Sequence, residues 1–375
     1  MVWWNNLQLK SKNPEVRRKA IEGLKSPADG RAVELLVEAL GDEDAGVRSA
    51  AAKGLEKVNE AEAAEPLLRA LGDASGEVRQ AAATALGNLG HMGDISPLEA
   101  LLKDPNPATR TAAAVALRKL GWRPSSREEQ ALFEVALGNT RAAAFAGEAA
   151  LEPLVTELKH DTSFQRRAAA EALENVNDPG RIQPLLVAAG DEDATVRVSA
   201  IHALSKENCQ PVTAALLKLA RDREACVRLA AAQVLAKRGD PSLASTFLKL
   251  VNDSNFEVRL TAVQFLGKMG EPLFAQALVS RLSDSDSDVR LAAAKALGIL
   301  ASAEAVEELV VALTDEERSV RQAAEAALTQ IDPNWVQSDA AQRASTRLEA
   351  SLNDRPAWVR SAILQCWPNC ARPGQ

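Results

Sequence analysis

A short phrase recurs along this chain at a fixed interval, and that interval constrains the fold more than any other feature. The phrase is usually Val-Arg, followed by Ala three residues after the Arg and Leu seven after it. The Arg stands at Arg17, Arg48, Arg79 and Arg110, in steps of 31 residues. It returns at Arg166, Arg197, Arg228, Arg259, Arg290 and Arg321 with the same step, and at Arg360 after a step of 39. Ala51, Ala82 and Ala113, and Leu55, Leu86 and Leu117, show how the flanking positions keep register. Apolar residues at −1, +3 and +7 from the Arg lie on one helical stripe. Self-similarity at this period marks an array of small supersecondary units.

Each unit holds a second apolar landmark twelve residues before the Arg. It is Leu in Leu36, Leu67, Leu98, Leu154, Leu185, Leu216, Leu278, Leu309 and Leu348, and Phe in Phe247. It marks a first helix, and Pro66, Pro97, Pro153 and Pro184 fall near that helix's start, where a missing N–H costs least. Two short helices joined by a tight turn cannot bury their apolar faces alone, so the units must stack. Alanine dominates the apolar fraction and aromatics are only 3% of the chain, which suits close helix packing. Six residues before nearly every Arg sits an Asp, from Asp42 to Asp354, with Ser11 and His160 as the exceptions. Such an Asp is positioned to cap the second helix and to meet an Arg of its own or an adjacent unit. The result is a ladder of ion pairs. A feature present in almost every unit is structural, since a binding site occupies only a few.

The period, the Val-Arg pair and the Asp-to-Arg spacing resemble the HEAT-repeat family, specifically the HEAT-like repeats named after phycobilisome lyases, over nearly the whole chain. The resemblance implies an all-α fold: a right-handed α-solenoid of about eleven stacked helical hairpins with one helical insert. The expected organisation is N-terminal repeats over 1–120, a helical insert over 121–147, central repeats over 148–332 and an atypical capping repeat over 333–375. The fold does not imply one function, because it hosts scaffolds, inhibitors, lyase subunits and a hydroxylase.

Two breaks interrupt the pattern. The step from Arg110 to Arg166 is 56 residues, about 25 more than the period. Gly121 ends a helix there, and Ser125 with Glu128 forms a capping-box pattern for an extra helix bearing Leu132, Phe133, Val135, Ala136 and Leu137. A short second helical piece should lead into residues 148–159, and Trp122 is expected as a packing anchor. The second break lies near Asp332 and Trp335. Trp3, Trp4 and Leu7 at one end, and the stretch around Trp367 at the other, are expected to cap the core against solvent.

Sequence signatures of catalysis are missing. No phosphate-binding or dinucleotide glycine motif occurs; Gly87, Gly90 and Gly93 have the wrong spacing. His91, His160 and His202 are far apart and none is followed by Glu. His-Glu pairs identify the iron enzyme of the resembled family, deoxyhypusine hydroxylase, so its metal centre is not expected. Asp284, Asp286 and Asp288 echo the start of an EF-hand loop, but Val289 replaces its Gly and Lys295 its terminal Glu. Cys366 and Cys370 supply only two thiols. No catalytic residue, cofactor or metal is therefore expected. Cys209, Cys226, Cys366 and Cys370 do not make a disulfide framework in 375 residues; reduced thiols of a cytoplasmic protein are the simpler reading. The N-terminus lacks the apolar core of a signal peptide, and no apolar run reaches the length of a membrane span.

A functional reading rests on the second helix. Positions +1 and +5 point away from the apolar stripe, toward what the resemblance implies is a concave surface. At +1, seven units are polar, but four consecutive ones carry Val198, Leu229, Leu260 and Leu291. At +5 the same units carry His202, Gln233, Gln264 and Lys295. An aliphatic strip flanked by hydrogen-bonding groups suits a helix or an extended peptide. In a tightly curved array, the same side chains would instead be buried between neighbouring helices. The leading expectation is a monomeric, non-enzymatic scaffold or adaptor binding a protein partner on its concave face. The alternative is a subunit of a bilin lyase or related maturation factor, which the subfamily's name implies. A net charge of −7 and a pI near 5.3 argue against general affinity for nucleic acid. A HEAT-type DNA-repair protein needs a basic groove, which Arg18 and Arg167 alone do not make.

Overall fold

A computed structural model describes residues 8–24, 30–58, 61–90 and 93–350, and every regular element among them is a helix. The chain forms two compact units, residues 1–188 and 189–375. Unit 1 contains α1 (Pro14–Glu22), α2 (Gly30–Ala39), α3 (Ala45–Val58), α4 (Ala64–Ala70), α5 (Gly76–Leu89), α6 (Ser96–Ala100), α7 (Pro107–Lys119), α8 (Arg127–Ala136), α9 (Thr140–Ala143), α10 (Leu151–Glu157), α11 (Ser163–Leu173) and α12 (Ile182–Ala188). Unit 2 contains α13 (Ala194–Ala203), α14 (Gln210–Leu219), α15 (Ala225–Arg238), α16 (Ala244–Leu250), α17 (Phe256–Met269), α18 (Ala275–Val279), α19 (Ser287–Leu300), α20 (Val306–Ala312), α21 (Arg318–Ile331) and α22 (Asp339–Ala350). The architecture is all-α, built from repeated helical hairpins.

The Val-Ala-Leu stripe forms the core. Val47, Ala51 and Leu55 on α3 are sealed from solvent, as are Val258, Ala262 and Leu266 on α17 and their equivalents on α5, α13, α15, α19 and α21. Burying each such Leu contributes about 1.5–3 kcal/mol. Within a hairpin the first helix lies on the second, and each second helix also packs on the next: α3 on α5 and α5 on α7 in unit 1, then α13 through α15, α17 and α19 to α21 in unit 2. Small residues set how close these helices come. A Cβ added at Gly87 on α5 would lie 2.7 Å from both Cα and Cβ of Ala116 on α7. In an open helix Ala is favoured over Gly by about 1 kcal/mol. Overpacking against a backbone that cannot retreat costs about 1–3 kcal/mol and outweighs that gain. Gly87→Ala should therefore lower the unfolding free energy by about 1 kcal/mol, and Gly87→Val by more. A urea titration in which Gly87→Ala is the more stable protein would show that α5 and α7 separate freely.

The expected ladder is present, with its rungs between neighbours. Most of these Arg side chains reach forward to the Asp of the next repeat: Arg48 to Asp73, Arg79 to Asp104, Arg228 to Asp253, Arg259 to Asp284 and Arg290 to Asp315, all with N–O distances of 2.6–2.7 Å. Most rungs are two-pronged, with Nε and Nη2 on the two carboxylate oxygens. Nη1 meanwhile donates to the main-chain carbonyl of the Asp in the Arg's own repeat, as Arg48 does to Asp42. One guanidinium thus ties two successive inter-helix loops together. The Asp is not the helix cap that its position led us to expect. Its Oδ1 accepts the N–H two residues on, as Asp253 accepts from Asn255, and that later residue is the cap, Asn255 accepting from Val258 N–H. His160 makes the same turn, its Nδ1 accepting from Thr162 N–H.

At the insert, Arg110 has no Asp at the usual spacing and pairs instead with Glu157 on α10, both groups buried. The extra helix α8 forms where expected, and α9 with a 3-10 segment (Ala144–Ala150) leads into α10. Its cap is shifted by one residue from the expected box. Ser126 Oγ accepts the Glu129 N–H, and the Glu129 carboxylate reaches back to the Ser125 N–H and hydroxyl. Trp122 is an anchor, its ring 5.4 Å from that of Phe133 and its Nε1–H donating to Glu99. Trp335 is buried beside α22. Trp3, Trp4, Leu7, His91, Cys366 and Cys370 lie outside the described residues.

Candidate functional site

The second helices α13, α15, α17 and α19 sit side by side in unit 2, so residues at equal offsets from the Arg fall in rows. Val198, Leu229, Leu260 and Leu291 are all half-buried. They are neither sealed into the core nor fully exposed, which lies between the two outcomes weighed from sequence. His202, Gln233, Gln264 and Lys295, one turn further along, are exposed.

Leu260, Gln264, Leu291 and Lys295 line one groove of about 390 Å³, together with Lys268 and Ile299. Val198, His202, Leu229 and Gln233 hold the matching positions on α13 and α15 but do not line it. The walls are mostly apolar, and Gly267 and Ala296 form part of the floor. At that point the backbones of α17 and α19 approach closely: a Cβ at Gly267 would lie 2.5 Å from the Ala296 Cβ. Ile299 is 59% exposed. The sequence reading missed it because it stopped at +5. Ile299 stands at +9, one turn further on the same face, where α15 and α17 carry Lys237 and Lys268.

A second cavity, of about 500 Å³, opens beside the insert, with Leu102, Leu132 and Val135 on its walls and Arg110 within it. Glu128 at its edge is held by Lys103 at 2.7 Å. The three carboxylates that echoed an EF-hand do not converge: Asp284 is engaged by Arg259, Asp286 caps α19, and Asp288 lies on the edge of the groove. Among the described residues no cluster of His, Cys, Asp and Glu could hold a metal ion, and no helix is long and apolar enough to cross a membrane. Cys209 and Cys226 are free thiols.

The family model described as HEAT repeats matches residues 6–77, 64–151, 151–225, 213–298 and 275–366. No curated protein matches the chain by sequence. Among solved structures, the chain is similar to an engineered protein at 23% identity, covering 87% of this chain and 98% of that one with a TM-score of 0.42. It is similar to YibA of Escherichia coli at 17% identity, covering 78% and 97% with a TM-score of 0.36. Importin beta is similar at 16% identity with a TM-score of 0.38; the match covers 95% of this chain and 55% of importin beta. Family matches that run almost end to end, on a chain of stacked helical hairpins joined by Arg–Asp rungs, identify it as a member of the HEAT-repeat family.

Proposed function

We propose that this protein is a non-enzymatic scaffold or adaptor that holds a protein partner, as a helix or an extended peptide, on the exposed face of the second helices of unit 2. The groove formed by Leu260, Leu291 and Ile299 carries this reading. Its aliphatic side chains remain partly open to water, and hydrogen-bonding groups flank them. Contiguous apolar surface of this kind marks interaction sites in soluble proteins. An apolar centre with a polar rim is the anatomy of a binding surface, and a groove between parallel helices accepts a helix or an extended chain.

The test is capture of a partner from native lysate by the wild-type chain and by the double variant Leu229→Glu, Leu260→Glu. We expect the variant to keep its helicity and to melt within a few degrees of wild type while capture is lost. Gln264→Glu, on an exposed residue that no core packing needs, should weaken capture as well. Collapse of the double variant together with full capture by Gln264→Glu would make the strip part of the core and end the proposal.

A further inference from the structure

We infer that the occupant of this face is an acidic amphipathic segment of another protein, with its apolar side on the aliphatic strip and its carboxylates on Lys237, Lys268 and Lys295. This inference rests on the docking surface proposed above. Lys237 and Lys268 occupy the +9 position in the last turns of α15 and α17, and Lys295 lies one turn back on α19, where Ile299 takes +9. All three lysines are exposed and, among the described residues, none is in an ion pair. Lys268 and Lys295 line the same groove as Leu260 and Leu291. The basic edge therefore runs directly beside the apolar floor.

Lysines in a helix's last turn also complement its dipole, and that alone would explain their placement. Unit 1 has Lys57 and Lys119 at the same offset, but its +1 row is polar: Arg18, Ser49, Gln80 and Thr111. At the +1 position, an aliphatic row beside such lysines occurs in unit 2 alone. The opposite edge carries Glu257 and Asp288 two residues before the Arg, both exposed. An acidic partner is drawn to one edge and repelled from the other, which fixes its orientation.

The spacing sets the pattern the partner must show. Packed helices lie about 8–10 Å apart, so four repeats span roughly 30 Å, the length of about twenty helical residues. A helix running across the repeats advances about 10 Å in seven residues; an extended chain of polyproline II form advances about 9 Å in three and returns to the same face. Acidic residues are therefore expected about every seventh position in a helical partner, or every third in an extended one.

A displayed library of random peptides about twenty residues long, selected on the full chain, provides the test. Enrichment on wild type but not on Leu229→Glu, Leu260→Glu is expected, with a pool rich in Leu and Asp or Glu at one of those spacings. The affinity of a synthetic peptide from the pool should fall about tenfold with Lys237→Glu, Lys268→Glu. It should also weaken as salt rises from about 0.01 to 0.15 M, which shortens the screening length from about 30 to 8 Å. The chain's net charge of −7 acts in the opposite sense: if bulk repulsion ruled, salt would strengthen binding. A strip-dependent pool that is neutral or basic, or binding that salt strengthens, overturns the acidic partner and leaves the docking surface standing. Absence of any strip-dependent enrichment overturns both.

Discussion

Asp284→Ala should destabilise unit 2 by about 3–5 kcal/mol, the cost of breaking a buried ion pair from one side. The Asp284 side chain is only 2% exposed. It accepts from Nε and Nη2 of Arg259 at 2.8 and 2.7 Å, from Arg281, and from the Asp286 N–H. Removing the carboxylate leaves the Arg259 guanidinium, itself 10% exposed, without its counter-charge. Glu307→Ala provides the control. The Arg343 it faces is 63% exposed, and pairs in contact with water contribute less than about 1 kcal/mol. Urea midpoints that move equally for the two variants would show that Asp284 is not the buried anchor described above.

The ladder also fixes the direction of acid sensitivity. The Arg48 guanidinium holds the Asp73 carboxyl below the ordinary carboxylate range, against an upward push from burial. At Asp284 burial is the largest single influence and pushes the carboxyl up, yet the bonds from Arg259 and the Asp286 N–H together bring it below the ordinary range. Carboxylates depressed by folding contribute stability that is complete above their unfolded pKa and is lost as pH falls through the folded one. Stability should therefore vary little between about pH 7 and 5 and fall steeply below about pH 4. Asp284→Ala should show a shallower acid limb, since one of the titrating rungs is gone.

Much of this fold was legible in the sequence because each repeat states the same short-range rule. The stripe from Val258 through Ala262 to Leu266 is a helix period that no other element accommodates. The offset of Asp from Arg was equally plain. Which repeat supplies each partner was not, because an Arg side chain reaches both its own loop and the next, and only the stacked geometry shows that it uses both. The cap was misplaced by two residues at the ladder Asp, and by one at Ser126, since neighbouring polar residues before a helix are chemically equivalent on paper. The Arg110–Glu157 pair was hidden by the insert, which breaks the register that made other rungs readable. For the candidate site, the +1 and +5 rows were visible but the state of Leu260 and Leu291 was not. Half-burial depends on how closely α17 and α19 approach, and that is set by Gly267 against Ala296 rather than by either leucine.

Phe247→Ala should cost about 3–5 kcal/mol, and the reason lies in how one repeat departs from the rest. Phe247 is fully buried on α16, in the slot that Leu fills in the other repeats. Its ring stacks on Phe265 of α17, centroids 3.9 Å apart and planes 18° from parallel. The position of Phe265, six after the Arg, is Ala or Gly in most repeats, as in Gly54, Ala85, Ala116 and Ala296. In those repeats a Leu stands opposite a small residue, as Leu36 does at Gly54, and here two rings share the space. Truncating Phe247 removes one ring and leaves the other beside a void. Phe247→Leu restores the usual side chain but not the stack, so its cost should be smaller, about 1–2 kcal/mol. Phe247→Leu with Phe265→Ala recreates the common pairing, and the two substitutions should couple by about 0.5–1.5 kcal/mol in a double-mutant cycle. Additive costs would mean that the rings pack independently. Because α17 also carries Leu260, Gln264 and Lys268, a cavity beneath it loosens the groove wall. Phe247→Ala should thus weaken the enriched peptide while Phe247→Leu leaves it bound, a contrast that ties the core of this repeat to the surface above it.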